Sequence, residues 1–188
     1  MGDMTLAAPI TYDWIVEQRR VLRIPPYLTL ADVGFDGPWV TPYQKKSCSP
    51  DGPVLVALHW LDARSIESNR AILSEMGFLP EIRFNNVLDQ ALHARGLTRD
   101  KIYVTQAFQL IPRTRSEHIT ARLIDRSFDA VTRHELIGRR VVALGADAAS
   151  ACKRHGVRCT VTCHPSRRGT SNDGNAGEIA AALAELGF

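Results

Sequence analysis

The sequence predicts an α/β protein, a three-layer α/β/α arrangement with a central four-stranded parallel sheet. Three observations carry that expectation. Short apolar runs alternate with stretches of helical periodicity, the pattern of parallel strands joined by right-handed crossovers. The first run, "PVLVALHW", is continuously apolar, as a strand buried on both faces is. At 188 residues and 45% hydrophobic, the chain has the material for one sizeable core.

The elements follow in order. Residues 12–23, "YDWIVEQRRVLR", have the pattern of an amphipathic helix, with Trp14, Ile15, Val21 and Leu22 on one face and Pro25-Pro26 as the stop. Residues 24–53 are rich in Pro and Gly and carry Trp39, Tyr43, Lys45 and Lys46. So long an irregular stretch points to function or to disorder. After the first strand, "SIESNRAILSEMG" and "NNVLDQALHARG" are expected to be helices, the second with Gly96 at its end. "KIYVTQAF" is the second strand. "TRSEHITARLIDRSFDAVTRHEL" is a helix expected to open at a Thr114-x-x-Glu117 capping box. "RVVALG" is the third strand, "ADAASACKRHG" a helix, "CTVTC" the fourth strand and "AGEIAAALAELG" the last helix. The expected organisation is a single domain over 1–188, with residues 1–53 as an N-terminal helix and irregular segment packed on a core of 54–188.

No apolar run approaches the roughly 20 residues that a membrane helix needs, and the N-terminus "MGDMTLAAPITYDW" lacks the basic start of a secretory signal. A cytoplasmic protein without a membrane partner is expected, and a monomer. Cys48, Cys152, Cys159 and Cys163 contain no Cys-x-x-Cys pair, so they are expected to pack as small hydrophobes, with no metal and no cofactor. His93, His118, His134 and His155 fall on helices or helix ends and are expected to face solvent. The net charge of +3 decides nothing, but its distribution does. Between Ala148 and Asn172 there is no carboxylate, while Lys153, Arg154, Arg158, Arg167 and Arg168 are present. That stretch is the better phosphate-binding candidate.

Ligands of parallel sheets sit at the C-terminal ends of the strands. Those ends are His59, Trp60 and Asp62; Gln106 to Pro112; Gly145 to Asp147; and His164 to Arg168. Three of these exits, "KIYVTQAFQLIP", "RVVALGADAA" and "TVTCHPS", in this order, resemble the uracil-DNA glycosylase superfamily over roughly residue 54 to the C-terminus. The resemblance implies that His164 supports the negative charge developing on a departing base and that Ser166 lies near a DNA phosphate. It places Arg167 and Arg168 on the loop that enters the duplex. Gln106 stands where the family commonly has an asparagine that reads the base edge; it offers the same amide on a longer stem. Phe78 and Trp60 are the candidates for the aromatic on which the base stacks.

The first exit departs from the family pattern. "ALHWLDARS" has no glycine turn, and no acid or amide at the usual place. His59 lies nearest, and Asp62 slightly beyond; Asp62 also suits the N-cap of the following helix. The implied activity is hydrolysis of the N-glycosidic bond of uracil or a related damaged base, with DNA carrying that base as the partner. Two other functions fit the same residues: a catalytically altered module that binds nucleic acid or a free base or nucleoside without cleaving DNA, and an enzyme acting on small nucleosides.

Overall fold

The computed structural model describes residues 10–188; the expectation about the first nine residues lies outside them. Four strands, β1 (Val54–Ala57), β2 (Tyr103–Gln106), β3 (Val141–Leu144) and β4 (Thr160–Thr162), form one sheet in the order β2-β1-β3-β4. Every pairing is parallel, with Leu55 opposite both Val104 and Val142. Side-chain alternation sends Val54 and Val56 to one face and Leu55 to the other. Helices cover both faces. On one, α4 (Arg83–Ala94) and α8 (Asn172–Glu185) pack Val87, Leu88, Ala91, Ile179 and Leu183 against Leu55, Val104 and Val142. On the other, α5 (Ala121–Ser127) and α7 (Ala146–Arg154) contribute Ile124, Ala148, Ala151 and Cys152 against Val54, Val56 and Val141. This is the three-layer α/β/α architecture expected.

Residues 10–53 pack on the rest of the fold. Helix α1 (Tyr12–Val21) is capped by Thr11, whose hydroxyl accepts from the Trp14 N–H. Its inner face differs from the expected one. Ile15, Val16 and Arg19 are buried, whereas Trp14 and Val21 are 38% and 49% exposed. The cause is a charge: Arg19 ion-pairs with Glu135 inside the protein, and that contact sets the rotation of the helix. Glu135 also accepts from the hydroxyls of Tyr103 and Thr105, and Gln44 accepts from Arg19 and Tyr12. Residues 24–53 wrap over this region and bury Leu30, Phe35 and Val40 with Ile66, Leu73 and Ile111.

Two helices begin or break where the sequence did not predict it. Residues 63–76 form α2 (Ala63–Ser68) and α3 (Arg70–Met76), with Asn69 between them. The Thr114–Glu117 capping box does not form, and α5 starts at Ala121 instead. Glu117 is drawn to Arg113 and to the Tyr27 hydroxyl, so its carboxylate cannot reach back to a helix start. Helix α5 runs on through a π-helical turn, Phe128–Thr132, into α6 (Arg133–Glu135). His155 is not solvent-facing: it stacks on Phe128 at 4.5 Å between ring centroids and bonds Asp125. His134 packs edge-on against Trp14.

Candidate functional site

The strand order places the topological switch point between β1 and β3, where successive crossovers leave in opposite directions. A cavity of about 170 Å³ opens at the exits of β1, β2 and β4. It is lined from the exit of β1 by His59, Trp60 and Asp62, from β2 by Gln106, and from the exit of β4 by His164 and Ser166. Phe78, Phe84, Arg99 and Arg115 also stand in the wall, as do the polar side chains of Tyr43, Ser65 and Asn85. Seven residues singled out in the sequence, His59, Trp60, Asp62, Phe78, Gln106, His164 and Ser166, thus meet in one place.

His164 is the most constrained. The Ser166 main-chain N–H donates to its Nδ1 at 3.1 Å. A nitrogen that accepts carries no proton, so in the neutral ring the proton sits on Nε2, which is then a donor. Burial pushes the pKa of His164 below the usual 6.5; the nearby His59 lowers it further, and Asp147 works against both. Phe84 packs on the ring at 5.4 Å. Gly145 closes in from β3: its φ is +96°, and a Cβ there would lie 3.1 Å from the His164 Cβ. Glycine is needed at that exit for both reasons.

The segment after His164 is pinned from behind. Asn175, fully buried on α8, donates to the carbonyls of Pro165 and Arg167 at 3.2 and 3.0 Å. Arg83 of α4 donates to Asn172 and to the Thr170 carbonyl. Arg167 is taken up by Glu178 at 2.6 Å, so its guanidinium is not free, and Arg168 is exposed. Neither arginine lines the cavity.

Gln106 is 4% exposed. Its main chain pairs with Ala57, and its carbonyl accepts from Gln109 and from Thr132, which the π-helical turn brings within 2.6 Å. The side-chain amide makes no hydrogen bond among the described residues, and it lines the cavity. Buried amides are normally paired, so this one is available to a ligand.

Phe78 is 8% exposed. The guanidinium of Arg99 lies over its ring, 3.8 Å from the centroid, and is held there by Asp89 and Asn85. Trp60 packs edge-on against Tyr43 and Phe35, which ties it to the N-terminal segment. Sequence reasoning missed Arg99, Phe84 and Arg115. The first two act through contacts between segments far apart in the chain. Arg115 could have been found by its place, three residues after Pro112 on the exit of β2. It is exposed at the cavity wall.

The first exit carries two candidates. Oδ1 of Asp62 accepts from the Ser65 N–H at 2.7 Å and caps α2, as its position before a helix suggested. The same residue is 8% exposed and lines the cavity, so capping does not remove it from the site. His59 Nδ1 lies 2.9 Å from the Trp60 carbonyl oxygen. A carbonyl only accepts, so this nitrogen carries the proton and Nε2 keeps its lone pair. The two histidines therefore hold opposite tautomers. Among the described residues no group of three or more His, Cys, Asp or Glu side chains could hold a metal ion, and no helix is long and apolar enough to cross a membrane.

The cavity thus lies at the strand exits of a parallel sheet, with a His-Pro-Ser exit in its wall and a Leu-Gly exit packed against His164. The chain belongs to the uracil DNA glycosylase superfamily, whose family profile matches residues 65–187. The match begins after β1, so His59 and Asp62 lie before it. No curated protein matches the sequence significantly.

Proposed function

We propose that this protein is a DNA glycosylase that hydrolyses the N-glycosidic bond of uracil or a related damaged base in DNA. The observation that carries the reading is the convergence on one cavity of a free buried amide, an aromatic ring and a neutral histidine donor: Gln106, Phe78 and His164. A cavity of about 150 Å³ holds a benzene ring, so about 170 Å³ suits a single-ring base. Extruding a nucleotide from the stack costs a few kcal/mol. Stacking on Phe78 and hydrogen bonds to the Gln106 amide offset that cost.

Cleavage of the bond leaves its electron pair on the base and positive charge on the sugar. A single preorganised donor to a developing oxyanion is worth about 2.7–4 kcal/mol. His164 Nε2–H is that donor, and its ring is held by Ser166 and Phe84. The Asp62 carboxylate stabilises the cationic sugar. Ser166, Arg115 and Arg168 contact phosphates, and Arg167 joins them only on leaving Glu178.

The experiment is a panel of oligonucleotides, single- and double-stranded, each carrying one deaminated or alkylated base. Chromatography of the products detects free base. Release from at least one lesion, with an abasic strand as co-product, supports the reading; no release from any of them refutes it. A second reading, a module that binds DNA without cleaving it, is favoured by one fact: the cavity's carboxylate already caps a helix. It would give tight, salt-sensitive DNA binding without turnover.

A further inference from the structure

We infer that His59 is the general base that activates the hydrolytic water. The inference rests on the glycosylase reading and assigns the one role that reading leaves open. Hydrolysis needs an acceptor for a water proton. Among the cavity's side chains the basic groups are few. His164 is excluded, because its Nδ1 accepts from Ser166 and its other nitrogen carries the proton. Among the described residues Asp62 is the only carboxylate in the wall; Oδ1 accepts from the N–H of Ser65 at 2.7 Å, and a carboxylate is a weaker proton acceptor than a neutral imidazole, which suits it to the cationic sugar rather than to the water. Arg99 and Arg115 are donors only. His59 remains. Its Nδ1–H is anchored to the Trp60 carbonyl at 2.9 Å, which fixes the tautomer and leaves the Nε2 lone pair as an acceptor.

The position suits the role. His59 stands two residues beyond the last residue of β1, the strand next to the one that carries Gln106, and it shares the cavity with His164. The two rings then divide the work: one presents a donor to the base, the other an acceptor to water. In the step itself, the bond from C1′ to the base nitrogen breaks and its electron pair stays on the base. The water oxygen bonds C1′ and passes one proton to His59 Nε2. His59 returns that proton to solvent, and the base anion takes up one in exchange, so the products are an abasic sugar and the neutral base.

The test is single-turnover release from the lesion that the wild-type protein cleaves, using His59→Ala, His59→Gln and Asp62→Asn, each checked for folding by circular dichroism. General-base removal costs 10²- to 10⁴-fold, so both His59 variants should lose about 100-fold or more. Added imidazole should restore His59→Ala in proportion to its concentration. Asp62→Asn should lose less and show no response to imidazole. A His59 variant with the wild-type rate overturns the assignment, as does a folded His59→Ala that imidazole does not restore; in either case the glycosylase reading stands. If His59→Ala does not fold, His59→Gln decides by its rate alone. If the wild-type protein releases no base from any lesion, the inference falls together with the reading beneath it.

Discussion

The main-chain N–H of Ser166 donates to Nδ1 of His164 across 3.1 Å, and this bond decides which nitrogen of the ring carries the proton. A histidine so held is a donor when neutral, and burial, with a further contribution from His59, lowers its pKa below the usual 6.5.

The pH dependence follows in sign. The folded pKa of His164 lies below the usual 6.5. Above pH 6.5 the ring is neutral in both folded and unfolded chains, and its contribution to stability is fully present. As pH falls from 6.5 toward the lowered folded value, the unfolded chain takes up a proton that the native one refuses, and stability is lost. Proton NMR of the ring should therefore show a midpoint below 6.5. Replacing His59 by Gln should raise that midpoint, and Asp147→Asn should lower it. A midpoint at or above 6.5 in the wild-type protein contradicts the account.

Gln106 should separate function from stability. Its side-chain amide faces the cavity and makes no hydrogen bond among the described residues, so it holds no part of the fold together. Gln106→Leu should therefore leave the thermal midpoint unchanged or raise it, while base release falls by about tenfold or more. A large drop in thermal midpoint would mean that the amide is structural.

Gly145 holds a backbone conformation that is essentially restricted to glycine, at φ +96° and ψ 169°. A non-glycine residue there costs about 1–3 kcal/mol. Gly145→Ala also sets a Cβ 3.1 Å from the His164 Cβ. The variant should lose more activity than its stability loss explains, because the histidine must move. Single-turnover rates measured well below its unfolding temperature test this; a wild-type rate there would mean that the close approach is immaterial.

The Arg19–Glu135 pair is buried on both sides, at 2% and 0% side-chain exposure. Removing one partner of such a pair costs about 3–5 kcal/mol because the other charge is stranded. Arg19→Met and Glu135→Gln should each be strongly destabilising in urea unfolding, and the double variant should recover part of the loss. Simple additivity of the two losses would argue against direct coupling.

The sheet was legible because a strand buried on both faces must be continuously apolar, as "VLVA" and "VVAL" are. Its exits were legible for the same reason: once the strands are placed, parallel pairing brings His59, Gln106 and His164 to one edge. What stayed hidden depends on contacts between distant residues. Periodicity put Trp14 and Val21 inside, but a buried ion pair 116 residues apart in sequence rotated the helix. Glu117 has the spacing of a capping box, yet Arg113 and Tyr27 claim it. Arg167 looked free for phosphate because Glu178, its partner, lies on the next helix. Arg99 over Phe78 has no local signature at all.

His164, as the donor to the departing base, is the residue on which the proposed activity depends most. The most direct measurement is the single-turnover rate of free-base release by the wild-type protein and by His164→Ala on the same lesion-bearing oligonucleotide, with folding and DNA affinity checked in parallel. Loss of one such donor is expected to slow release by about 10²–10³-fold, with DNA affinity little changed. Release at the wild-type rate by a folded His164→Ala protein would contradict the account.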